Sequence, residues 1–190
     1  MKPRAAVGQL LILTGERGAG KTTACLELVE SARRQWLDCA GLACPARFEG
    51  GSRAGIDVID LRTNERRGLA VVDELPARLR AGPYRFDETS VSWGVARLAA
   101  ACPCDLLVVD EIGPLEMVRR EGWVDAVEIL RRGDYSLAVA VVRPSLVESV
   151  RAAVGGRATE VVEKREGDDE AGSRLEVALS TIERTVPRPP

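Results

Sequence analysis

Two short stretches carry residue types that could do chemistry together. The first, "GERGAGKT" from Gly15 to Thr22, has the spacing G-x-x-x-x-G-K-[ST]. Gly15, Gly18 and Gly20 let a loop curl with its amide hydrogens pointing inward. The unpaired N–H groups and positive end of a following helix would complete a receptor for phosphate oxygens. Lys21 then supplies a compact ammonium for the β- and γ-phosphates, and the Thr22 hydroxyl a ligand for Mg²⁺. Only three of the 27 basic residues are lysines (Lys2, Lys21 and Lys164), so an arginine-rich chain keeps lysine where a point charge is wanted. A chance glycine-rich turn before a helix is the alternative.

The second stretch, "LLVVDEIGPLE", sets Asp110 and Glu111 at the end of an apolar run, with Glu116 five residues beyond Glu111. A carboxylate leaving a buried strand needs a cation or a reacting water to justify its position. Beside a phosphate loop, Asp110 suits the Walker-B role, holding Mg²⁺ through a water and anchoring Thr22. Glu111 can accept a proton from, or orient, a water attacking the γ-phosphorus. Asp110 alone would fit a switch or a kinase, and the added Glu111 favours hydrolysis; a solvated acid after a strand is its bland reading.

The elements that must position these groups are legible in the pattern of apolar residues. "VGQLLILTG" followed by "ERGAGKTTACLELVESARRQ" reads as strand, loop, helix. From about Gly41 to Arg85, short alternating runs broken by Gly, Asn and Pro read as hairpin strands extending the main sheet. Asp87 or Thr89 caps the next helix, over "SVSWGVARLAAA". "DLLVVDE" is a strand covered on both faces, "REGWVDAVEILRRG" a helix and "YSLAVAVV" a second covered strand. "RPSLVESVRAAVGG" is a helix with Pro144 in its first turn, "RATEVVE" a short strand, and about Glu170 to Arg184 an amphipathic helix. The alternation predicts an α/β fold in one domain over residues 1–190, with a frayed tail at 185–190.

Composition narrows the classes of function. At 190 residues, 45% hydrophobic and 29% charged, the chain can bury one good core, and its net charge of −2 gives no global attraction to nucleic acid or an acidic membrane. The N-terminal apolar run is too short to span a bilayer and unlike a signal peptide, which gives a cytoplasmic reading. Histidine is absent, so imidazole catalysis and histidine ligation are excluded within the chain. Cys25, Cys39, Cys44, Cys102 and Cys104 lack the usual spacings of a metal site and read as reduced, packed thiols.

"GERGAGKTT" together with "VVDEIGPLE" resembles the THEP-type nucleoside-triphosphatases, small P-loop proteins in which a D-E-[IL]-G-[PK]-[ML]-E segment follows the Walker-B strand. "SRAGIDVIDL", "RRGLAVVDE" and "GPYRFDE" look like that family's middle hairpins and glycine-aromatic segment, and the likeness spans roughly Gln9 to Glu163. It implies a P-loop three-layer sandwich with a mostly parallel central sheet and antiparallel hairpin additions. It also implies Mg²⁺-dependent hydrolysis of several nucleoside triphosphates to diphosphates, with loose base selectivity. Carried over, Gly15, Glu16, Arg17, Gly18, Ala19, Gly20, Lys21, Thr22 and Thr23 bind phosphates, Thr22 and Asp110 serve the metal, and Glu111 handles the water. Glu116 supports the site from behind or serves structure only.

The chain departs from the family after the first helix. There "LACPARFEGGSR" replaces a Thr-Glu-Val-Arg-like segment, which marks a divergent branch and leaves Arg47 and Arg53 as candidate phosphate-side cations. Arg143, after "YSLAVAVV", is a candidate γ-phosphate cation or a plain strand-end residue, as is Arg157 further on. Trp93 lines a base pocket or packs its helix. The rival functions are a kinase for a nucleoside or other small molecule, for which no lid-length insertion is visible, and a signalling ATPase whose slow turnover is governed by a protein partner. The expected partner is a nucleoside triphosphate, with no nucleic acid or membrane, and the expected state is a monomer.

Overall fold

Side-chain alternation along the strands decides which helices cover which face. The computed structural model describes residues 8–182 except 114, 120, 156 and 157, so Arg157 and the tail at 185–190 lie outside the described residues. In chain order the elements are β1 (Gln9–Thr14), α1 (Lys21–Arg34), β2 (Cys39–Ala43), β3 (Ala46–Glu49), β4 (Ser52–Asp60), β5 (Arg66–Val72), β6 (Arg80–Ala81), β7 (Tyr84–Phe86) and α2 (Glu88–Ala99). There follow β8 (Cys104–Ile112), a π-helical turn (Leu115–Arg119), α3 (Ala126–Arg132), β9 (Tyr135–Val142), a 3-10 turn (Pro144–Leu146), α4 (Val147–Ala153), β10 (Ala158–Glu163) and α5 (Glu170–Ser180).

The sheet runs β10-β1-β9-β8-β2-β4-β5-β7-β6, with β3 on β4. Its first five strands are mutually parallel and the rest pair antiparallel. Leu10 and Ile12 of β1, Leu107 and Val109 of β8 and Ala138 and Ala140 of β9 face a core shared with Leu98 near the end of α2, Leu130 of α3 and Val150 of α4. Leu11, Leu13, Leu106, Val108, Leu137 and Val139 face the opposite core, against Leu28 of α1 and Leu175 of α5. This is the expected three-layer α/β sandwich, with a parallel centre and antiparallel additions.

Two elements differ from the sequence reading. β2, read as part of the hairpin region, belongs to the parallel centre: it pairs with β8, and Gly41 carries φ 100 where a Cβ would stand 1.9 Å from the Val108 carbonyl oxygen. A small-residue strand, "CAGLA", lacks the bulky alternation that announces a strand. The helix read over "REGWVDAVEILRRG" starts only at Ala126, because Gly122 takes φ 67 and breaks it.

Asp87 is the residue that caps α2. Its Oδ1 accepts the Ser90 amide at 2.7 Å and the Thr89 hydroxyl at 2.5 Å, and these two bonds hold its carboxyl below the usual aspartate value. Stabilisation from such a group is complete above the unfolded pKa and is lost as pH falls through the folded one. Asp87→Ala should cost about 1 kcal/mol. A Tm lowered by about 2–4 °C in a thermal melt is the expected reading.

Candidate active site

β1 ends at Thr14 and α1 begins at Lys21, so the glycine loop is the whole connection between a central strand and the helix that covers it. Gly15, Gly18 and Gly20 take φ 142, 89 and 88, where a side chain would be strained. Gly20 caps α1 without a side-chain hydrogen bond, and no acid occupies the first turn, so its leading amides and positive end are available to an anion. Ala19 is buried, while Glu16, Arg17, Gly18 and Thr23 are exposed at the rim. The Lys21 ammonium is held by the loop's own carbonyls, Gly15 and Glu16, at 2.7 Å each.

Asp110 leaves β8 beside this loop, where the register with β9 shifts between Val109 and Ile112. Its carboxylate is 2% exposed and accepts the Cys44 amide at 3.0 Å and the Thr22 hydroxyl. Burial pushes its pKa up to about 6, with those hydrogen bonds pulling the other way. A buried carboxylate bonded only to neutral donors, beside a hydroxyl, is a hard-oxygen set that a divalent cation would stabilise. Among the described residues no three His, Cys, Asp or Glu side chains group as a cage. Mg²⁺ would need little more than such a pair from the protein, since it completes its shell with water and phosphate.

Sheet order brings the next pair together. Because β9 lies between β1 and β8, its tip emerges between the phosphate loop and the acidic pair. Arg143, the first residue past β9, places Nε 2.6 Å from Glu111 Oε1, both side chains partly open to solvent. Glu116, on the π-helical turn, points back into its own loop: Oε2 accepts the Gly113 amide at 2.8 Å and Oε1 the Trp123 amide at 3.3 Å. Burial raises its pKa, and the amides and the nearby Glu111 act in opposite directions. Glu116 thus pins the chain that leads away from Glu111.

The remaining sequence candidates separate. Arg47 is neutralised on the antiparallel strands, 3.1 Å from Asp57 and 3.3 Å from Glu49. Arg53 has no such partner among the described residues and lies 5.7 Å from the centre of the Tyr84 ring. Trp93 packs against the α2-side core, with Arg67 and Arg97 over its ring at 4.6 and 5.5 Å, which is the packing reading. The cysteines divide between the two cores, and burial raises the thiols of Cys25 and Cys44, with Asp110 adding to both.

Sequence reasoning missed three neighbours of the site. The Cys44 amide reaches Asp110 because β2 runs beside β8, which depends on the small strand that was not recognised. Tyr84, in the "GPYRF" segment, accepts a hydrogen bond from Arg17 of the phosphate loop. Lys164, flagged only as a rare lysine, packs over the loop: a Cβ at Gly15 would stand 2.2 Å from its carbonyl oxygen. It also borders a cleft of about 760 Å³ between α1 and α5, with Thr23, Glu27 and Ser173 among its walls. This cleft flanks the loop on the β10 side, away from Glu111.

Residues 10–170 match the sequence profile of a family described as NTPase. The nucleoside-triphosphatase THEP1 of Ignicoccus hospitalis is 38% identical over 108 residues, 56% of this chain and 60% of its own. That of Methanothermobacter thermautotrophicus is 32% identical over 141 residues, 72% of this chain and 78% of its own. Over the first relatives the chain spans 60% to 64% of their length. The crystal structure of THEP1 from Aquifex aeolicus shares the fold, with TM-score 0.65 at 21% identity, covering 93% of this chain and 100% of that one. The solution structure of a human cancer-related nucleoside triphosphatase also has TM-score 0.65, at 23% identity, covering 91% and 96%. With its phosphate loop, buried Asp110 and Glu111–Arg143 pair carried on that same fold, the chain belongs to the NTPase family of THEP1-type nucleoside-triphosphatases.

Proposed function

We propose that this protein is an Mg²⁺-dependent nucleoside-triphosphatase that converts ATP, GTP and related triphosphates to diphosphate and phosphate. The observation that carries the reading is the 2.6 Å contact of Arg143 with Glu111 at the tips of neighbouring strands, next to the strand that bears the phosphate loop. Hydrolysis needs a carboxylate for the water and positive charge on the phosphoryl oxygens, and here the two are adjacent. The names of the relatives support the same reading.

In this reading Gly15 to Thr23 cradle the phosphates and Lys21 leaves its carbonyl partners for the β- and γ-oxygens. Thr22 and Asp110 hold Mg²⁺, which when bound adds positive charge at those oxygens. Glu111 orients the water and takes its proton as the water oxygen bonds to the γ-phosphorus. The bond to the β,γ-bridging oxygen breaks and its electron pair leaves with the diphosphate. Arg143 keeps Glu111 aimed and offers its remaining N–H groups to the transferring group. We read the whole chain as one domain, acting as a monomer in the cytoplasm. Among the described residues no helix is long and apolar enough to cross a membrane.

The test is phosphate release from ATP, GTP, CTP and UTP with Mg²⁺ and no added acceptor. Background rates on all four would overturn the reading. Transfer to an added nucleoside would favour a kinase, and turnover only with a partner protein a signalling ATPase. Arg143 and the 3-10 turn are the whole connection from β9 to α4, too short there for a kinase-type lid. The phosphate loop reads no base, and the cleft beside Lys164 is lined mostly by small and aliphatic residues and acids, with no aromatic ring among its walls to select one. ATP and GTP should therefore have kcat/KM values within about tenfold, or about 1.4 kcal/mol. A preference beyond about a hundredfold would mean a dedicated base pocket.

A further inference from the structure

In sheet order β7 stands six places from β1, which in a flat sheet would put it roughly 29 Å away. Yet Tyr84 of β7 takes a hydrogen bond from Arg17 of the phosphate loop. The antiparallel extension therefore curls back over the end of the parallel sheet where the site lies. The register shows how. β4 pairs with the end of β2 through Ile59 and Asp60, so its earlier residues run past the edge of the parallel strands, and Arg53 stands roughly 20 Å beyond. A second tie comes from the π-helical turn, where Arg119 donates to the Arg80 carbonyl at 2.6 Å. The β6–β7 hairpin thus bridges from the phosphate loop to the chain following Glu111.

Charge distinguishes this roof from ordinary packing. Arg47, Arg80, Arg85, Arg119 and Arg143 all lie against carboxylates. Among the described residues, Arg17 and Arg53 have no carboxylate at ion-pair distance. Instead both guanidiniums lie on the one buried Tyr84 ring, at 5.2 and 5.7 Å from its centre. The Arg53 Nε is buried with no acceptor. Two cations sharing a ring, one with an orphaned buried donor, are an arrangement that an anion between them would satisfy.

We propose that Arg53 and Arg17, assembled on Tyr84, form an anion subsite for the terminal phosphate of the bound nucleotide and make the site prefer a triphosphate to a diphosphate. The subsite approaches from the β8–β2 side, where Asp110 and Cys44 lie, whereas the cleft beside Lys164 flanks β10. A diphosphate seated in the loop would leave the arginines unanswered; a triphosphate would reach them. The inference rests on the proposed nucleotide reading of the loop.

The experiment compares Kd for a non-hydrolysable ATP analogue and for ADP, each with Mg²⁺, in wild type, Arg53→Ala and Arg53→Gln. The glutamine keeps part of the side-chain stem over Tyr84 should the alanine variant fail to fold. Loss of one charged hydrogen-bonding partner should weaken the triphosphate analogue about tenfold or more. ADP affinity should change less than about twofold. Equal losses for both nucleotides would mean that Arg53 only supports the fold, and an unchanged ratio would likewise overturn the subsite while leaving the nucleotide reading intact. A wild type that binds neither nucleotide would overturn both.

Discussion

Glu111→Gln is expected to bind ATP nearly as well as the wild type and to release phosphate about 10²- to 10⁴-fold more slowly, the span of a lost general base. The geometry makes this substitution informative. A glutamine oxygen can still accept from the Arg143 Nε that now lies 2.6 Å from the Glu111 carboxylate, so the shape of the pair survives while its basicity is removed. Single-turnover phosphate release, with binding measured separately by titration of a non-hydrolysable analogue, reads the two effects apart. Unchanged turnover would remove Glu111 from the reaction and shift the water-handling role to another group.

The opposite pattern should come from Lys21→Ala, in which binding itself fails. Lys21 spans the loop by bonding to Gly15 and Glu16, so its removal takes away both a phosphate-side charge and a brace of the loop. In the proposed complex Lys21 exchanges those carbonyls for the β- and γ-phosphate oxygens, and losing two charge-assisted hydrogen bonds there corresponds to a weakening of about 10²-fold or more in Kd for ATP. Calorimetric titration with Mg²⁺ and the analogue is the direct measurement. A loss below about threefold would show that the loop's amides bind the phosphates without the ammonium, and the nucleotide reading would then rest on Gly20 and the α1 terminus alone.

The two variants probe different origins of the site. The phosphate loop is local: six residues join a strand to a helix, and glycine at three places with positive φ is a demand of backbone sterics that is legible in the chain itself. The Glu111–Arg143 contact is not local, since 32 residues separate the partners and only parallel pairing of β8 with β9 aligns their ends.

What the amino-acid sequence determined by itself is therefore the set of groups and their nearest supports. The phosphate loop between strand and helix, Asp110 and Glu111 at the end of a covered strand, a helix cap at Asp87 or Thr89 and the two faces of β1, β8 and β9 all follow from spacing, because steric and burial rules act over a few residues. The tertiary structure alone decided who meets whom. It sorted Arg47 from Arg53 by giving one to Asp57 and leaving the other on Tyr84, and it set β2 beside β8 so that the Cys44 amide reaches Asp110. It also folded β7 back to the phosphate loop and stopped the helix before Ala126 at Gly122. Strand order and sheet curvature are collective properties of packing across many residues. No local window of the chain carries them.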